Sequence, residues 1–379
     1  MPYSLFEEIL QATRDSGKFP DENVRKSGQG PHPLSLKVMA CLRRLALGIP
    51  CCALEEMCGI SRTVIALFVE KWELWFVENY HAQWVKMPEG KELDKAQAIF
   101  SRCGLQGFVS SMDVVHVKYD RCPWGQRAIH TGKEGYPTLG YQFHCGHDRR
   151  IYWHSPEGFP GARNDKTIVR YDAFQNALKE DPIYCEREYE VWVSDVETEM
   201  MRGVHSLCDG GYHKWLTSIC GAKYSEETDL KAFSGLCESV RKDVECLFGI
   251  LKKRFRILGM ASVAHYSKNI NTMVKVCSVL HNMLLEHDGL SSVGENETDW
   301  ELVDEAEALA HGVNLARLST FIAGSQALYN NMDETEVHSG WDHKRRKLVA
   351  HYAHALARGE VYTLRTRAER ASTLADNFM

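Results

Sequence analysis

The chain has 379 residues, with 45 Lys and Arg against 51 Asp and Glu, for a formal net charge of −6. Its length is sufficient to bury a full hydrophobic core, and its charge argues against a uniformly basic nucleic-acid coat but allows a local basic groove. The first residues lack the apolar run of a secretory signal, and no stretch approaches the roughly 18 apolar residues of a membrane span. We therefore expect free thiols at most of the 13 cysteines, a reducing cytosolic or nuclear compartment, and no membrane association.

The N-terminal part is expected to be a polar arm followed by helices. Residues 1–33 are polar and end in a turn-rich stretch, whereas residues 34–100 show helical spacing. A helix from Leu34, a short helix near Met57, a glycine turn and a helix capped by Ser61 give the outline of a helix-turn-helix. The third helix is expected to pack through one apolar face, formed by Val64, Leu67, Phe68 and Trp72.

A helix-turn-helix would place the start of its third helix against DNA. Arg62 and Thr63 are the residues expected to face a groove. Many small helical bundles share this outline, so DNA contact and a purely structural role both remain open at this point.

The pattern changes near residue 101. Three strands are expected near residues 108–119, 141–145 and 150–154, then a helix over 164–180. Short strands near 189–193 and 204–208 and helices over 238–256 and 268–287 follow. This order predicts a mixed α/β core over residues 101–287, followed by an acidic linker over 288–340 and a basic helical tail over 341–379.

Two aspartates lie in or after predicted strands. Asp113 interrupts an apolar strand, which costs free energy unless the carboxylate is paired or bound to a metal; the alternative is that it simply points outward. Asp209 follows a strand and precedes Gly210 and Gly211, a pattern that an ordinary turn also shows.

Glu245 lies in a predicted amphipathic helix. Its apolar stripe consists of Val240, Val244, Leu247 and Leu251, and Glu245 lies roughly opposite. The alternative to a functional role is a solvated face with an Arg241–Glu245 ion pair at i,i+4. Asp243 projects beside the stripe and is not chosen as a ligand.

Six segments together resemble the PIF/Harbinger superfamily of DDE transposases, in particular its plant transposon proteins. The resemblance covers residues 35–287. Its segments are 42–61, 112–123, 159–165, 208–215, 241–258 and 280–284. Cys246 stands where the family often has Arg, and Val114 and Val115 stand where it commonly has Gly soon after the first Asp.

The resemblance implies an RNase H-like core in which Asp113, Asp209 and Glu245 are catalytic and hold two divalent ions, Mg²⁺ or Mn²⁺. The reaction it implies is cleavage of DNA at element ends and strand transfer into a target site. His116, Asn164 and Asp165 enter only as members of family motifs, with a structural role as the alternative.

Partners follow from the same resemblance. DNA at the terminal repeats and the target site is the expected substrate, with its phosphates held by basic residues near Glu245, namely Arg241, Lys252, Lys253, Arg254 and Arg256. The resemblance also implies a Myb-like accessory protein and is compatible with a homo-oligomer. The basic run 344–347 suggests a nuclear import signal, with an ordinary surface helix as the alternative.

Three alternatives remain open at the level of sequence. The chain could be a domesticated relative that binds DNA or a partner without transposing, or a nuclease without strand transfer. It could also be a generic α/β protein in which the three carboxylates are a coincidence. Carboxyl groups more than about 10 Å apart would support this interpretation, because they could not share two metal ions.

Overall fold

The computed structural model describes residues 1–19, 32–222, 225–303 and 337–365. Its first elements are five helices: α1 (Tyr3–Asp15), α2 (Leu34–Leu47), α3 (Cys51–Cys58), α4 (Arg62–Trp84) and α5 (Lys91–Arg102). Helices α2 to α4 follow the spacing in the sequence, and Gly48 and Gly59 end α2 and α3 in the left-handed conformation that glycine favours. No helix of these ranges, or of the other described residues, is long and apolar enough to cross a membrane.

Two N-terminal predictions are wrong. Residues 3–15 are helix α1 and not a polar arm: Ile9 is buried, and Thr13 accepts a 3.1 Å hydrogen bond from the indole of Trp72. The predicted apolar face of α4 is wrong in part: Trp72 is buried and Phe68 packs against the core, but Val64 and Leu67 are exposed. The buried residues of α4 are Ile65, Val69, Trp72, Glu73, Trp75 and Phe76.

The reason for the second error is that α4 carries apolar residues around most of its circumference. Its 23 residues pack against α2, α3 and a later helix, so helical spacing alone does not single out the buried side.

The central sheet is mixed. Its strands are β1 (Phe108–Lys118), β2 (Thr138–Cys145), β3 (Ile151–His154), β4 (Phe159–Pro160), β7 (His205–Leu207) and β8 (Ser218–Ile219), and between them β5 (Glu188–Trp192) and β6 (Thr198–Arg202) form a separate hairpin. The order is β3-β2-β1-β7-β8, with β4 also paired to β2. Strands β1, β2 and β3 are antiparallel, whereas β7 and β8 run parallel to β1.

Helices cover both faces of this sheet. They are α6 (Arg127–His130), α7 (Asp165–Val169), α8 (Ala173–Glu180), α9 (Pro182–Cys185), α10 (Thr228–Arg254) and α11 (Ser267–His287). On one face Phe143 of β2 contacts Phe248 of α10. On the other face His144 of β2 stacks on Phe174 of α8. The chain is therefore a mixed α/β protein, as predicted.

The predicted helix over 164–180 is interrupted. The side chain of Asp172 accepts a 3.1 Å hydrogen bond from the backbone N–H of Gln175, so Asp172 is the N-cap of α8 and α7 ends before it. The second carboxylate oxygen of Asp172 lies 2.7 Å from His144 Nε2, and both side chains are fully buried. Helix α8 is thus fixed to the sheet through a buried polar pair.

The C-terminal segments pack onto the core. Strand β9 (Trp300–Leu302) pairs with β10 (Tyr362–Leu364), and α12 (Trp341–Ala357) contacts α10 and β5. The predicted acidic linker is therefore folded at least around the buried Trp300, while its residues 304–336 lie outside the described ranges.

The basic run 344–347 lies within α12. Lys344 is 6% exposed and donates hydrogen bonds to the carbonyl oxygens of Gly203 and Leu216. Burial lowers the pKa of Lys344 to about 7. This run is therefore part of a helix, as predicted, and that helix packs on the core.

Candidate functional site

Asp113 and Asp209 are brought together by the pairing of β1 with β7. The two strands run parallel, with Ser111 opposite Leu207, and each aspartate lies two residues further along its own strand direction. Asp209 follows the end of β7, where its side chain accepts a 2.8 Å hydrogen bond from the N–H of Gly211. Both carboxylates therefore lie side by side at the edge that the sheet forms where β7 ends beside the middle of β1.

Glu245 lies on α10 and is linked to Asp113 by Arg241, which contacts both carboxylates. The guanidinium of Arg241 lies 2.9 Å from Glu245 Oε1 and 3.5 Å from Asp113 Oδ2. Because the two guanidinium nitrogens are about 2.3 Å apart, these carboxylate oxygens lie within about 9 Å of each other. The buried stripe of Val240, Val244, Leu247 and Leu251 packs α10 on the core as predicted.

Burial of Asp113 makes its ionised form costly. The pKa of Asp113 is raised to about 6, first by burial and then by the charges of Asp209 and Asp165, while the Val114 N–H and Arg241 act in the opposite direction. A carboxylate that is desolvated among other carboxylates is typical of a site that binds a cation.

Asp165 is a fourth carboxylate at this edge. It is the first residue of α7, whose N-cap Asn164 accepts a 2.9 Å hydrogen bond from the N–H of Thr167. Burial raises the pKa of Asp165, Lys133 lowers it, and the charge of Asp209 raises it again. The sequence offered only motif membership for Asp165, because a carboxylate at the start of a short helix looks like an ordinary first-turn acid.

The donor set fits a hard divalent cation, because all four groups are carboxylates. Within the described ranges, no group of three or more His, Cys, Asp or Glu side chains is arranged to hold a metal ion as it stands. The guanidinium of Arg241 lies between Asp113 and Glu245 and contacts both carboxylates.

The other predicted residues lie around this edge or apart from it. Lys252 and Lys253 are exposed on the last turn of α10, and Arg256 is exposed just after it. Arg254 is instead half-buried, 3.8 Å from Asp288. Arg62 and Thr63 are exposed at the start of α4, a separate element.

His116 lies on β1 close to the carboxylates in sequence. Its Nδ1 is 2.9 Å from the hydroxyl of Thr138. Burial lowers the pKa of His116, and the cations Lys133 and Lys252 lower it further while Glu134 raises it. Lys133 and Lys252 thus place positive charge beside this end of the sheet.

The fold and the site define a mixed α/β protein with an acidic centre at one edge of its sheet. The family model of the plant transposon proteins matches residues 82–291, a range that contains the whole centre. The chain belongs to this family, which indicates a transposase-related function. No curated protein and no solved structure shows significant similarity to it.

Proposed function

We propose that this chain is a DNA transposase of the PIF/Harbinger type, in which an RNase H-like core cleaves DNA at element ends and transfers the strands to a target site. The observation that carries the proposal is the convergence of Asp113, Asp209 and Glu245 from β1, β7 and α10 on one edge of the sheet. Three antiparallel strands continued by two parallel ones also support an RNase H-like core.

Asp113, Asp209 and Glu245 would hold the metal ions, with Asp165 beside them. Bound Mg²⁺ or Mn²⁺ would activate the attacking oxygen and stabilise the leaving oxygen in both phosphoryl transfers. Ligand carboxylates must be deprotonated to bind a metal. Because the pKa of Asp113 is raised to about 6, metal binding should weaken as the pH falls below about 6.

DNA phosphates would be held by exposed cations next to the carboxylates. Lys252 and Lys253 at the end of α10 and Lys133 before β2 are exposed and suit this role. Arg62 and Thr63 on α4 are proposed as a second contact, with the element ends. Action on chromosomal DNA implies a nuclear protein, although the burial of Lys344 argues against the run 344–347 as its import signal.

The proposal is tested by incubating the purified full chain with duplex DNA that carries the element ends flanking its gene, in the presence of Mg²⁺ or Mn²⁺. Asp113→Asn, Asp209→Asn and Glu245→Gln are compared with Asp120→Asn, a control at an exposed aspartate just after β1. Cleavage lost in all three variants and kept in the control supports the site, and joined products support strand transfer. Cleavage that survives the three substitutions contradicts it.

Binding of a protein partner is a second candidate function. Val64, Leu67 and Leu74 on the outer side of α4 are 42%, 55% and 48% exposed, which is unusual for three large apolar residues on one helix. Either an accessory protein of the Myb-like type or a second copy of this chain would cover them. Sedimentation velocity of the purified chain, without any added partner, distinguishes the two. If a second copy covers these residues, the wild type should self-associate and the double variant Leu67→Glu with Leu74→Glu should be a monomer. If an accessory protein covers them, the wild type and the double variant should sediment alike.

A further inference from the structure

Arg241 is the cation that the structure places among the carboxylates. Its side chain is 15% exposed, although it lies on the same helix face as the 49%-exposed Glu245. Burial alone would lower the pKa of Arg241, yet the pKa is raised because Glu245, Asp113, Asp209 and Glu238 surround the guanidinium. Arg241 therefore neutralises a cluster of acids contributed by three parts of the chain.

This arrangement differs from an ordinary helix-surface ion pair. A solvated i,i+4 pair contributes only a few tenths of a kcal/mol, and its arginine would keep to its own helix. Arg241 instead extends to Asp113 on β1, so one guanidinium fork engages both a strand carboxylate and a helix carboxylate.

The oxygens that Arg241 contacts are the ones that a divalent ion would need. Asp113 Oδ2 and Glu245 Oε1 belong to two of the three proposed ligands. A guanidinium and a divalent cation repel each other at contact distance, and this repulsion is strong in a half-buried site. The two cations therefore compete for the same two carboxylates.

We propose that Arg241 is a built-in counter-cation that competes with divalent metal ions for Asp113 and Glu245 and turns away from them when a metal ion binds. This inference rests on the proposed metal site. It assigns Arg241 a role distinct from the one proposed for the exposed Lys252 and Lys253, which would contact DNA phosphates.

The test is the affinity of the full-length protein for Mn²⁺, measured by electron paramagnetic resonance of the free ion and by calorimetry, without DNA. Arg241→Gln removes the charge and keeps a polar side chain, Arg241→Lys keeps the charge, and Lys242→Gln removes a neighbouring exposed charge from the same helix. We expect Arg241→Gln to bind Mn²⁺ on the order of tenfold more tightly than the wild type. Arg241→Lys and Lys242→Gln should stay within about twofold.

Thermal unfolding provides a second readout that does not depend on affinity fits. Without divalent ions, Arg241→Gln should melt below the wild type, because its carboxylates have lost their counter-cation. Added Mn²⁺ should raise its melting temperature more than that of the wild type, and this difference should vanish when Asp113→Asn is also present.

The outcomes separate the inference from the proposed function. Mn²⁺ binding that Asp113→Asn abolishes, but that is equal or weaker in Arg241→Gln, overturns the role of Arg241 and leaves the metal site intact. No saturable binding in the wild type or in Arg241→Gln overturns the metal site itself and the inference with it. Binding by Arg241→Gln alone would support both.

Discussion

Asp113 and Asp209, far apart in sequence, each lie two residues after a pair of facing residues in parallel strands: Ser111 of β1 faces Leu207 of β7. Parallel strands point the same way, so their continuations carry these two side chains to the same edge of the sheet. The pKa of Asp113 is raised first by burial and also by the charge of Asp209 at this edge. The site therefore begins as a feature of strand register, and a register shift of one residue would turn one of the carboxylates to the other face.

The first prediction concerns the stability of the protein without divalent ions. Because the pKa of Asp113 is about 6 in the folded chain, above its usual value of 3.8, the folded state binds this proton more tightly than the unfolded state. Stability from this group is thus present at low pH and is lost as the pH rises through about 6. Asp113→Asn should raise the free energy of unfolding at pH 7.5 by up to about 3 kcal/mol.

This gain should shrink as the pH falls toward 4, because Asp113 is protonated in the folded state there and the unfolded state, with the usual pKa of 3.8, begins to bind the same proton. Urea unfolding followed by circular dichroism at pH 7.5 and pH 4.5, with Asp120→Asn as the exposed control, measures it. A variant that is less stable than the wild type at pH 7.5 would show that Asp113 is stabilised as an anion by its surroundings.

The second prediction concerns Asp165. As a half-buried carboxylate beside Asp209, it should support the proposed metal site without being one of its three main ligands. Asp165→Asn should weaken Mn²⁺-dependent cleavage by about 10- to 100-fold, and higher Mn²⁺ should restore part of the loss. Asn164→Ala, which removes the N-cap of the same helix, is the control for a local folding defect. An equal loss of cleavage in the two variants would show that Asp165 has only a structural role.

The third prediction concerns DNA binding by the end of α10. Each phosphate neutralised by Lys252 or Lys253 should contribute about 0.9 to the slope of log affinity against log salt. The double variant Lys252→Gln with Lys253→Gln should therefore reduce the slope by about 1 to 2, measured by fluorescence anisotropy. Lys91→Gln with Lys231→Gln removes the same charge from exposed positions on α5 and the start of α10. Equal slopes for the two double variants would disprove a specific contact.

The fourth prediction concerns the buried pair that fixes α8 to the sheet. His144 Nε2 and Asp172 Oδ2 are 2.7 Å apart and fully buried, and His144 Nδ1 lies 3.2 Å from the hydroxyl of Ser110. This Ser–His–Asp arrangement is sealed from solvent, so it stabilises the fold and does not act as a nucleophile. Asp172→Ala should cost about 3 to 5 kcal/mol in urea unfolding, because it leaves a buried polar partner. A cost under about 1 kcal/mol, as for an exposed pair, would contradict this role.

Elements with a clear period could be predicted from the sequence. The stripe of Val240, Val244 and Leu247 gave the buried face of α10, and with it the exposure of Glu245 on the other side. The face of α4 could not be predicted in this way, because Val64 and Leu67 are as apolar as the Ile65 and Val69 that are buried. Which of two apolar faces is buried depends on neighbouring helices, and these are contributed by distant parts of the chain.

At the site, too, some features could be predicted from local patterns and others could not. Asp113, Asp209 and Glu245 could be singled out through their motifs, and the Arg241–Glu245 pair through its spacing along one helix. The contact between Arg241 and Asp113 joins α10 to β1, and the position of Asp165 depends on the break between α7 and α8. Both are tertiary relationships between segments with no periodic signal in common, so local patterns do not contain them.

If Asp113, Asp209 and Glu245 form one metal site, Mn²⁺ should bind beside all three carboxylates. The most direct test is anomalous diffraction from crystals of the full chain soaked in Mn²⁺, recorded near the manganese absorption edge. We expect an anomalous peak in contact with Asp113 and Asp209 and within reach of Glu245, with the Arg241 guanidinium turned away from Asp113. Mn²⁺ peaks elsewhere on the protein, with Arg241 still bridging Asp113 and Glu245 at saturating Mn²⁺, would contradict it.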